Sequence, residues 1–207
     1  VTPESLKSML AEFARRYDRS GENHYDFASA LIKSMRGSDP DAALLYLACM
    51  IEGGEDPTFI ARRLIIFASE DIGNASPQAL DTAVSASLAL ERIGMPEGRI
   101  ILAQAVTFLA ACPKSNAAYR AIDAALDLVR QRQIVIPNHL RNAPTATHRS
   151  EGAGKDYKYP HDFPGHYVDQ GYMPDGVNTQ LYFPTDQGHE SRLRDRLQSL
   201  QRKDRKY

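Results

Sequence analysis

RGSDPDAALLYLACMIEGGEDPTFIARRLIIFASEDIG, residues 36–73, predicts two consecutive helices at the centre of the fold. Asp39 and Asp56 are each followed by proline, and an acidic N-cap before a proline at the first helical position is a common helix start. Glycines follow each run of apolar residues, where helices commonly end. We therefore predict a first helix that ends near Gly53 and a second that runs from Pro57 to Ile72.

The second of these helices is apolar on almost every side. Its large apolar residues are Phe59, Ile60, Leu64, Ile65, Ile66, Phe67 and Ile72. A helix of this kind in a water-soluble protein is surrounded by other protein. The surrounding protein is either the rest of its own domain or a neighbouring subunit, and the pattern leaves both alternatives open.

Four charged residues interrupt this apolar helix. They are Arg62, Arg63, Glu70 and Asp71. One alternative is that they form the exposed edge of the helix. The other is that they pair across a subunit interface, because a buried charge without a partner is too costly. The apolar surroundings favour the interface. We therefore predict that an oligomer interface includes Arg62, Arg63, Ile65, Ile66, Glu70 and Asp71.

The rest of the chain predicts an all-α fold, a bundle or stack of helical hairpins with short connections. A helix over residues 76–93 has an alanine face, formed by Ala79, Ala83, Ala86 and Ala89, that allows another helix to approach closely. A later helix is expected to bury Tyr119, Ile122, Leu126 and Val129.

Residues 138–189, which we call the strap, are rich in proline, tyrosine and histidine. Such a segment cannot form a long helix. We expect it to be irregular, with a short hairpin near residues 171–176, and to be followed by a final helix that starts near Thr185. The predicted organisation is thus a helical segment (1–35), a helical core (36–137), the strap, and a basic C-terminal helix (190–207).

Charge and composition exclude several classes of protein. The net charge is −1, so no global basic field attracts nucleic acid. No apolar run is long enough to cross a membrane. Cys49 and Cys112 each lie among apolar residues, as reduced thiols in a cytoplasmic protein do.

Two places could still contact an anion. Arg36, with Gly37 and Ser38, precedes a helix and could hold a phosphate, or could pair with Asp39 or Asp41. The C-terminus is basic, and a charge run is usually a solvated helix face. The candidate contacts to DNA backbone there are Arg192, Arg194, Arg196, Arg202, Lys203, Arg205 and Lys206.

No motif for catalysis or cofactor binding is complete. Gly154-Lys155 resembles the end of a P-loop, but Arg149 and Asp156 stand where that motif needs glycine and Ser or Thr. His161 and His166 lack the spacing of a zinc site. We therefore predict no catalytic, cofactor-binding or metal-binding residues.

Three stretches resemble the C-terminal region of the replication-associated recombination protein A family. They are residues 36–73, YKYPHDFPGHYVDQGYMPDG (157–176) and YFPTDQG (182–188). This family comprises the RarA/MgsA AAA+ ATPases and, in eukaryotes, the Werner helicase-interacting protein. The similarity runs from about Tyr17 to about Leu197. The family's ATPase module is not in this sequence, so the chain is expected to be part of a longer protein.

The resemblance implies that this chain is the oligomerisation domain of a clamp-loader-like ATPase and that it forms a tetramer. The ATPase would act in DNA replication, recombination and repair at stalled forks. It implies that ATP and Mg²⁺ belong to the missing ATPase module, whose lid would border residues 1–35. DNA and single-stranded DNA-binding protein would be partners of the whole protein, in the bacterial cytoplasm near the nucleoid. The alternative is a DNA-binding module that uses the basic C-terminus and the strap; an enzyme with a site in the strap ranks last.

Overall fold

A computed structural model describes residues 22–142 and 153–200. The prediction of an all-α fold is confirmed, because the regular structure of these residues consists of helices alone. The described residues fall into two compact units. The first contains residues 22–119 and 185–191, and the second contains residues 120–142, 153–184 and 192–200. The predicted division into four segments stays a prediction.

The first unit is built from five helices around one apolar core. They are α1 (Glu22–Arg36), α2 (Pro40–Glu52), α3 (Pro57–Phe67), α4 (Gln78–Ile93) and α5 (Gly98–Ala111). Helix α5 is central, because it packs against each of the other four. Its buried face is formed by Leu102, Ala105, Val106, Leu109 and Ala110. This core places the ends of α1 and α3 next to the start of the segment that follows α5.

The predicted helix starts are confirmed at atomic detail. The Asp39 carboxylate accepts a hydrogen bond from the Ala42 backbone N–H at 2.9 Å. The Asp56 carboxylate accepts one from the Thr58 N–H, also at 2.9 Å. Each aspartate satisfies an N–H group that has no partner within its own helix.

The predicted helix from Pro57 to Ile72 is confirmed in its bounds, but it is not α-helical throughout. The α-helix ends at Phe67, and Ala68–Ile72 forms a π-helical turn. This wider turn accommodates an extra residue, and single π-turns of this kind are frequent at functional sites. Asp71 lies in the turn, and its side chain contacts a residue 35 positions earlier in the chain.

Helix α4 packs with its small residues inward. Ala79, Ala83 and Ala86 are buried in the chain's own core, so the alanine face is occupied within the subunit. The larger residues at i, i+4 and i+8 positions lie on the other side and are exposed: Leu80, Val84 and Leu88. An ordinary amphipathic helix buries most of its large apolar residues, whereas this helix buries Leu90 and exposes these three.

Helix α6 (Ala117–Gln131) also departs from expectation. The prediction that it buries its apolar stripe is wrong, because Ala117 alone is buried among the residues of this fully described helix. Its exposed apolar residues are Tyr119, Ile122, Leu126 and Val129. They recur at spacings of three and four, so they share one face of the helix.

The described part of the strap consists of three single-turn 3-10 helices, turns and extended segments without strands, so the predicted hairpin near residues 171–176 is wrong. Within the second unit, one side chain after α6 and one inside the strap hold the strap in place. The Arg132 guanidinium donates two hydrogen bonds to the Gly176 carbonyl oxygen, at 2.7 and 3.0 Å. A ring nitrogen of His139 lies 2.7 Å from the Gly171 carbonyl oxygen.

The final helix, α7 (Glu190–Ser199), begins about five residues later than predicted. The preceding residues are held in a non-helical path within the first unit. Gly188 has a φ of 51°, and the His189 N–H donates to the Ala75 carbonyl oxygen at 2.8 Å. A Cβ at position 188 would overlap that oxygen and would lie 2.6 Å from Pro113 Cγ.

We expect Gly188→Ala to lower the free energy of unfolding by about 3 kcal/mol, since it combines an unfavourable φ with a backbone clash. Gly165→Ala is the matched control, because Gly165 has a φ of 68° and no neighbouring atom within 4 Å of the point where a Cβ would lie. It should cost only about 1 kcal/mol. Urea unfolding measures both, and equal losses would show that close packing at residue 188 is unimportant.

Candidate functional site

An ion pair joins the end of α1 to the π-helical turn. Arg36 Nε lies 2.5 Å from one Asp71 carboxylate oxygen, and Arg36 Nη2 lies 3.0 Å from the other. The Asp71 side chain is only 10% exposed, whereas that of Arg36 is 49% exposed. The hydrogen bond to Asp71 raises the pKa of Arg36 above its usual value. This two-pronged geometry is the strong form of an arginine–carboxylate contact.

The same turn continues into a second polar contact. The Asp71 carbonyl oxygen accepts the Ser115 N–H at 2.8 Å. The Ser115 hydroxyl in turn donates to the carboxylate of Glu190, which is fully buried. That carboxylate also accepts the Thr185 hydroxyl at 2.6 Å and the Thr185 N–H at 3.1 Å. A continuous polar network therefore connects α1, the π-helical turn, the start of α6 and the start of α7.

Ser38 is also engaged within the chain. Its hydroxyl accepts a hydrogen bond from Lys114 Nζ at 3.2 Å. Lys114 Nζ also donates to the carbonyl oxygens of Ala110 and Cys112 at the end of α5. Desolvation by burial lowers the pKa of Lys114. The carboxylate partner of Arg36 is Asp71, and not the Asp39 or Asp41 that the sequence suggested.

The predicted interface residues have different environments. Asp71 is paired inside the chain, and Glu70 and Ile65 are half-buried. Ile66 is 44% exposed. Arg62 is exposed, with its guanidinium 3.8 Å from the Asp56 carboxylate. The interface itself stays a prediction, with Ile66 and Arg62 as the members of this set that are most exposed.

The candidate DNA contacts fall partly on α7. Arg192 and Arg196 are exposed and lie one turn apart, on the same face of the helix. Arg194 is half-buried, with its Nε 3.9 Å from the Asp195 carboxylate. The remaining candidates, Arg202, Lys203, Arg205 and Lys206, lie outside the described residues.

The described histidines of the strap form ring contacts with their neighbours. The His161 ring centroid is 5.1 Å from that of Tyr159 and 4.9 Å from that of His166. Among residues 22–142 and 153–200, no three His, Cys, Asp or Glu side chains are grouped as a metal site would require. No helix within these ranges is both long and apolar enough to cross a membrane.

A cavity of about 410 Å³, which was not predicted from the sequence, lies between α1 and α3. Three cationic side chains line it: Lys33, Arg36 and Arg63. The signal available in the sequence is the spacing of Lys33 and Arg36, which places both on one face of α1. Arg63 lines the cavity because α3 packs against α1, and no local sequence pattern predicts that packing.

Family models match the chain from residue 1 to residue 201. Residues 37–201 match the family model described as MgsA AAA+ ATPase C terminal, and residues 1–36 match the model described as AAA C-terminal domain. The chain therefore contains C-terminal portions of an AAA+ type of protein. It belongs to the MgsA AAA+ ATPase C-terminal family, as the resemblance predicted.

Curated relatives carry the name replication-associated recombination protein A. The relative from Escherichia coli K12 is 43% identical over 207 residues, which cover 99% of this chain and 46% of the relative. The relative from Coxiella burnetii is 44% identical, over 93% of this chain and 44% of its own length. ATPase WRNIP1 of Dictyostelium discoideum is 36% identical, over 88% of this chain and 21% of its own length. The chain thus spans less than half the length of these relatives.

We expect the Arg36–Asp71 pair to show a coupling energy of about 1–2 kcal/mol in a double-mutant cycle with Arg36→Met and Asp71→Asn. The reason is the two-pronged contact and the burial of Asp71. A buried acceptor that loses its partner is destabilised, because its desolvation is no longer offset by a hydrogen bond. The exposed pair Arg62–Asp56 is the control, with an expected coupling below about 0.5 kcal/mol. Urea unfolding supplies the free energies, and a coupling no larger than that of the control would contradict this assignment.

Proposed function

We propose that this chain is the oligomerisation portion of a clamp-loader-like AAA+ ATPase that acts in DNA replication and recombination, including the rescue of stalled forks. Membership of the MgsA AAA+ ATPase C-terminal family supports the class, and the names of its relatives support the process. In this proposal ATP and Mg²⁺ are bound by a separate ATPase module, because the chain's sequence has no complete P-loop. DNA and single-stranded DNA-binding protein are then partners of the whole protein.

The observation that carries the proposal is the outward face of α4. Leu88 is 53% exposed, and Leu80 and Val84 lie two turns and one turn before it on the same face. Burying the exposed part of each side chain would contribute roughly 1 kcal/mol per copy. A helix that exposes three large apolar residues on one face while burying three alanines and Leu90 on the other is suited to contact a second copy of the chain.

Two other exposed apolar features are consistent with assembly. Ile66 on α3 is partly exposed within the predicted interface. Helix α6 presents its apolar stripe on one side. Contiguous apolar surface on a soluble protein usually marks an interaction site. One self-complementary patch closes a dimer, and a second patch joins two dimers into a tetramer. The family resemblance implies that the number of copies is four.

We expect the unmodified chain to have a mass in solution several times its 23.0 kDa, and Leu88→Glu to give a smaller species that is still helical. A carboxylate buried at an interface without a partner costs several kcal/mol, so assembly is lost. Gln78→Glu is the matched control, since Gln78 is an exposed residue of the same helix that is neither three nor four positions from Leu80, Val84 or Leu88.

Light scattering and circular dichroism measure mass and helix content. Ala83→Glu should unfold the domain, because Ala83 is 1% exposed in the core. A concentration-independent mass near 23.0 kDa for the unmodified chain would contradict the proposal.

The second candidate function is DNA binding through the C-terminus. Its specific observation is the pair of exposed arginines, Arg192 and Arg196, one turn apart on α7. Guanidinium groups on one helix face can contact successive phosphates, and such contacts release counterions. The net charge of −1 limits this binding to a local patch.

Removing residues 192–207 should weaken binding of duplex DNA at least tenfold and flatten its salt dependence, since every candidate phosphate contact is lost. Fluorescence anisotropy at several salt concentrations measures both quantities. The truncation retains Glu190, so its network with Ser115 is preserved. An unchanged affinity and salt slope would place the DNA contacts elsewhere.

A further inference from the structure

The cavity between α1 and α3 has the dimensions of a small-molecule site. Its volume of about 410 Å³ falls within the range of roughly 300–1,000 Å³ that is usual for ligand pockets. Of the described residues that line it, helix α1 contributes most and α3 the rest. The lining consists of Tyr25, Ala28, Ser29, Ile32, Lys33 and Arg36 from α1, and Phe59 and Arg63 from α3.

The charge of this cavity is unbalanced. Lys33, Arg36 and Arg63 line it, and no carboxylate does so among the described residues. Asp71 neutralises Arg36 from outside the lining. Lys33 and Arg63 have no ion-pair partner in the described part of the chain. Two uncompensated cations that face one cavity repel each other, and a bound anion would remove that repulsion.

The charge favours a phosphate over a single carboxylate. A phosphate group can carry two negative charges, which matches the two uncompensated cations. The planar guanidinium of Arg63 can donate two parallel hydrogen bonds to phosphate oxygens, and lysine binds the same group as a point charge. Phosphate is therefore the anion that these side chains suit best.

The remaining walls suit a flat aromatic group. Ala28, Ile32 and Phe59 supply apolar surface, and the Tyr25 ring at the cavity is 69% exposed. Nucleic-acid bases stack on exposed aromatic rings of this kind. We propose that the cavity binds a nucleotide unit, with its phosphate at Lys33 and Arg63 and its base against the rings of Tyr25 and Phe59.

This site goes beyond the proposed oligomerisation, because it uses neither the α4 face nor α7. It combines residues from the two family models, since α1 belongs to the region matched by the AAA C-terminal domain and α3 to the MgsA region. A phosphate and a base are offered both by a free nucleotide, whose phosphate can carry two negative charges, and by one unit of single-stranded DNA, whose phosphodiester carries one. The experiment separates these two sources.

The test is calorimetric titration of the whole chain with thymidine 5′-monophosphate and with inorganic phosphate. The nucleotide should bind about tenfold more tightly than phosphate, because base stacking adds to the phosphate contact. Arg63→Ala and Lys33→Ala should each weaken nucleotide binding about tenfold through loss of a charge-assisted hydrogen bond. Tyr25→Ala should weaken binding of the nucleotide and leave that of phosphate unchanged.

Arg62→Ala is the matched control, because it removes the same charge one residue away, at a side chain that does not line the cavity. It should change affinity less than about twofold, as expected for an exposed charge. Absence of nucleotide binding, equal affinity for phosphate and nucleotide, or equal effects of Arg62→Ala and Arg63→Ala would each overturn the proposal.

Fluorescence anisotropy with a fluorescein-labelled dodecamer of deoxythymidylate shows whether the site takes single-stranded DNA or a free nucleotide. If Arg63→Ala weakens its binding while Arg62→Ala does not, the site accepts single-stranded DNA. The salt slope should then fall by about 0.7, the value for one contact to a single strand. If neither variant changes its binding while both nucleotide results hold, the site accepts free nucleotide.

Discussion

The polar network that runs from Arg36 through Asp71 and Ser115 to Glu190 is the constraint on which the first unit depends. Its members are far apart in sequence: Arg36 and Asp71 are separated by 35 residues, and Ser115 and Glu190 by 75. Apolar burial has no preferred direction of contact, whereas hydrogen bonds of this kind have strict distances and angles. The network therefore fixes how the π-helical turn and the start of α7 are placed against the helices.

Glu190 shows why the network specifies one arrangement. A fully buried carboxylate is very costly unless donors surround it, and here the Ser115 hydroxyl and both donors of Thr185 do so. Any path of residues 185–191 that displaced Thr185 would leave the carboxylate with fewer donors. The close approach of Gly188 to Ala75 follows from the same path, since only glycine leaves room for it.

Features with local causes could be predicted from the sequence, and those with distant causes could not. The caps of α2 and α3 were predictable because Asp39 and Asp56 contact N–H groups two or three residues away. The π-helical turn was not, because the contacts of Asp71 lie on α1 and before α6. The alanines of α4 indicated close packing correctly, but a single sequence does not show whether the partner helix belongs to the same chain. The cavity was missed because it requires α1 and α3 to be brought together.

Helix α1 shows that the boundary between the two family models is not a boundary in the structure. The AAA C-terminal domain model ends at residue 36, the last residue of α1, and the MgsA model begins at residue 37. Yet Leu31 and Met35 of α1 are fully buried in the same core as Leu102 and Leu109 of α5. Close-packed cores transmit displacement because they have few voids in which to absorb it. A movement of α1 imposed from its N-terminal side would therefore be carried into α5, and with it into α4, which packs against α5 and presents an exposed apolar face.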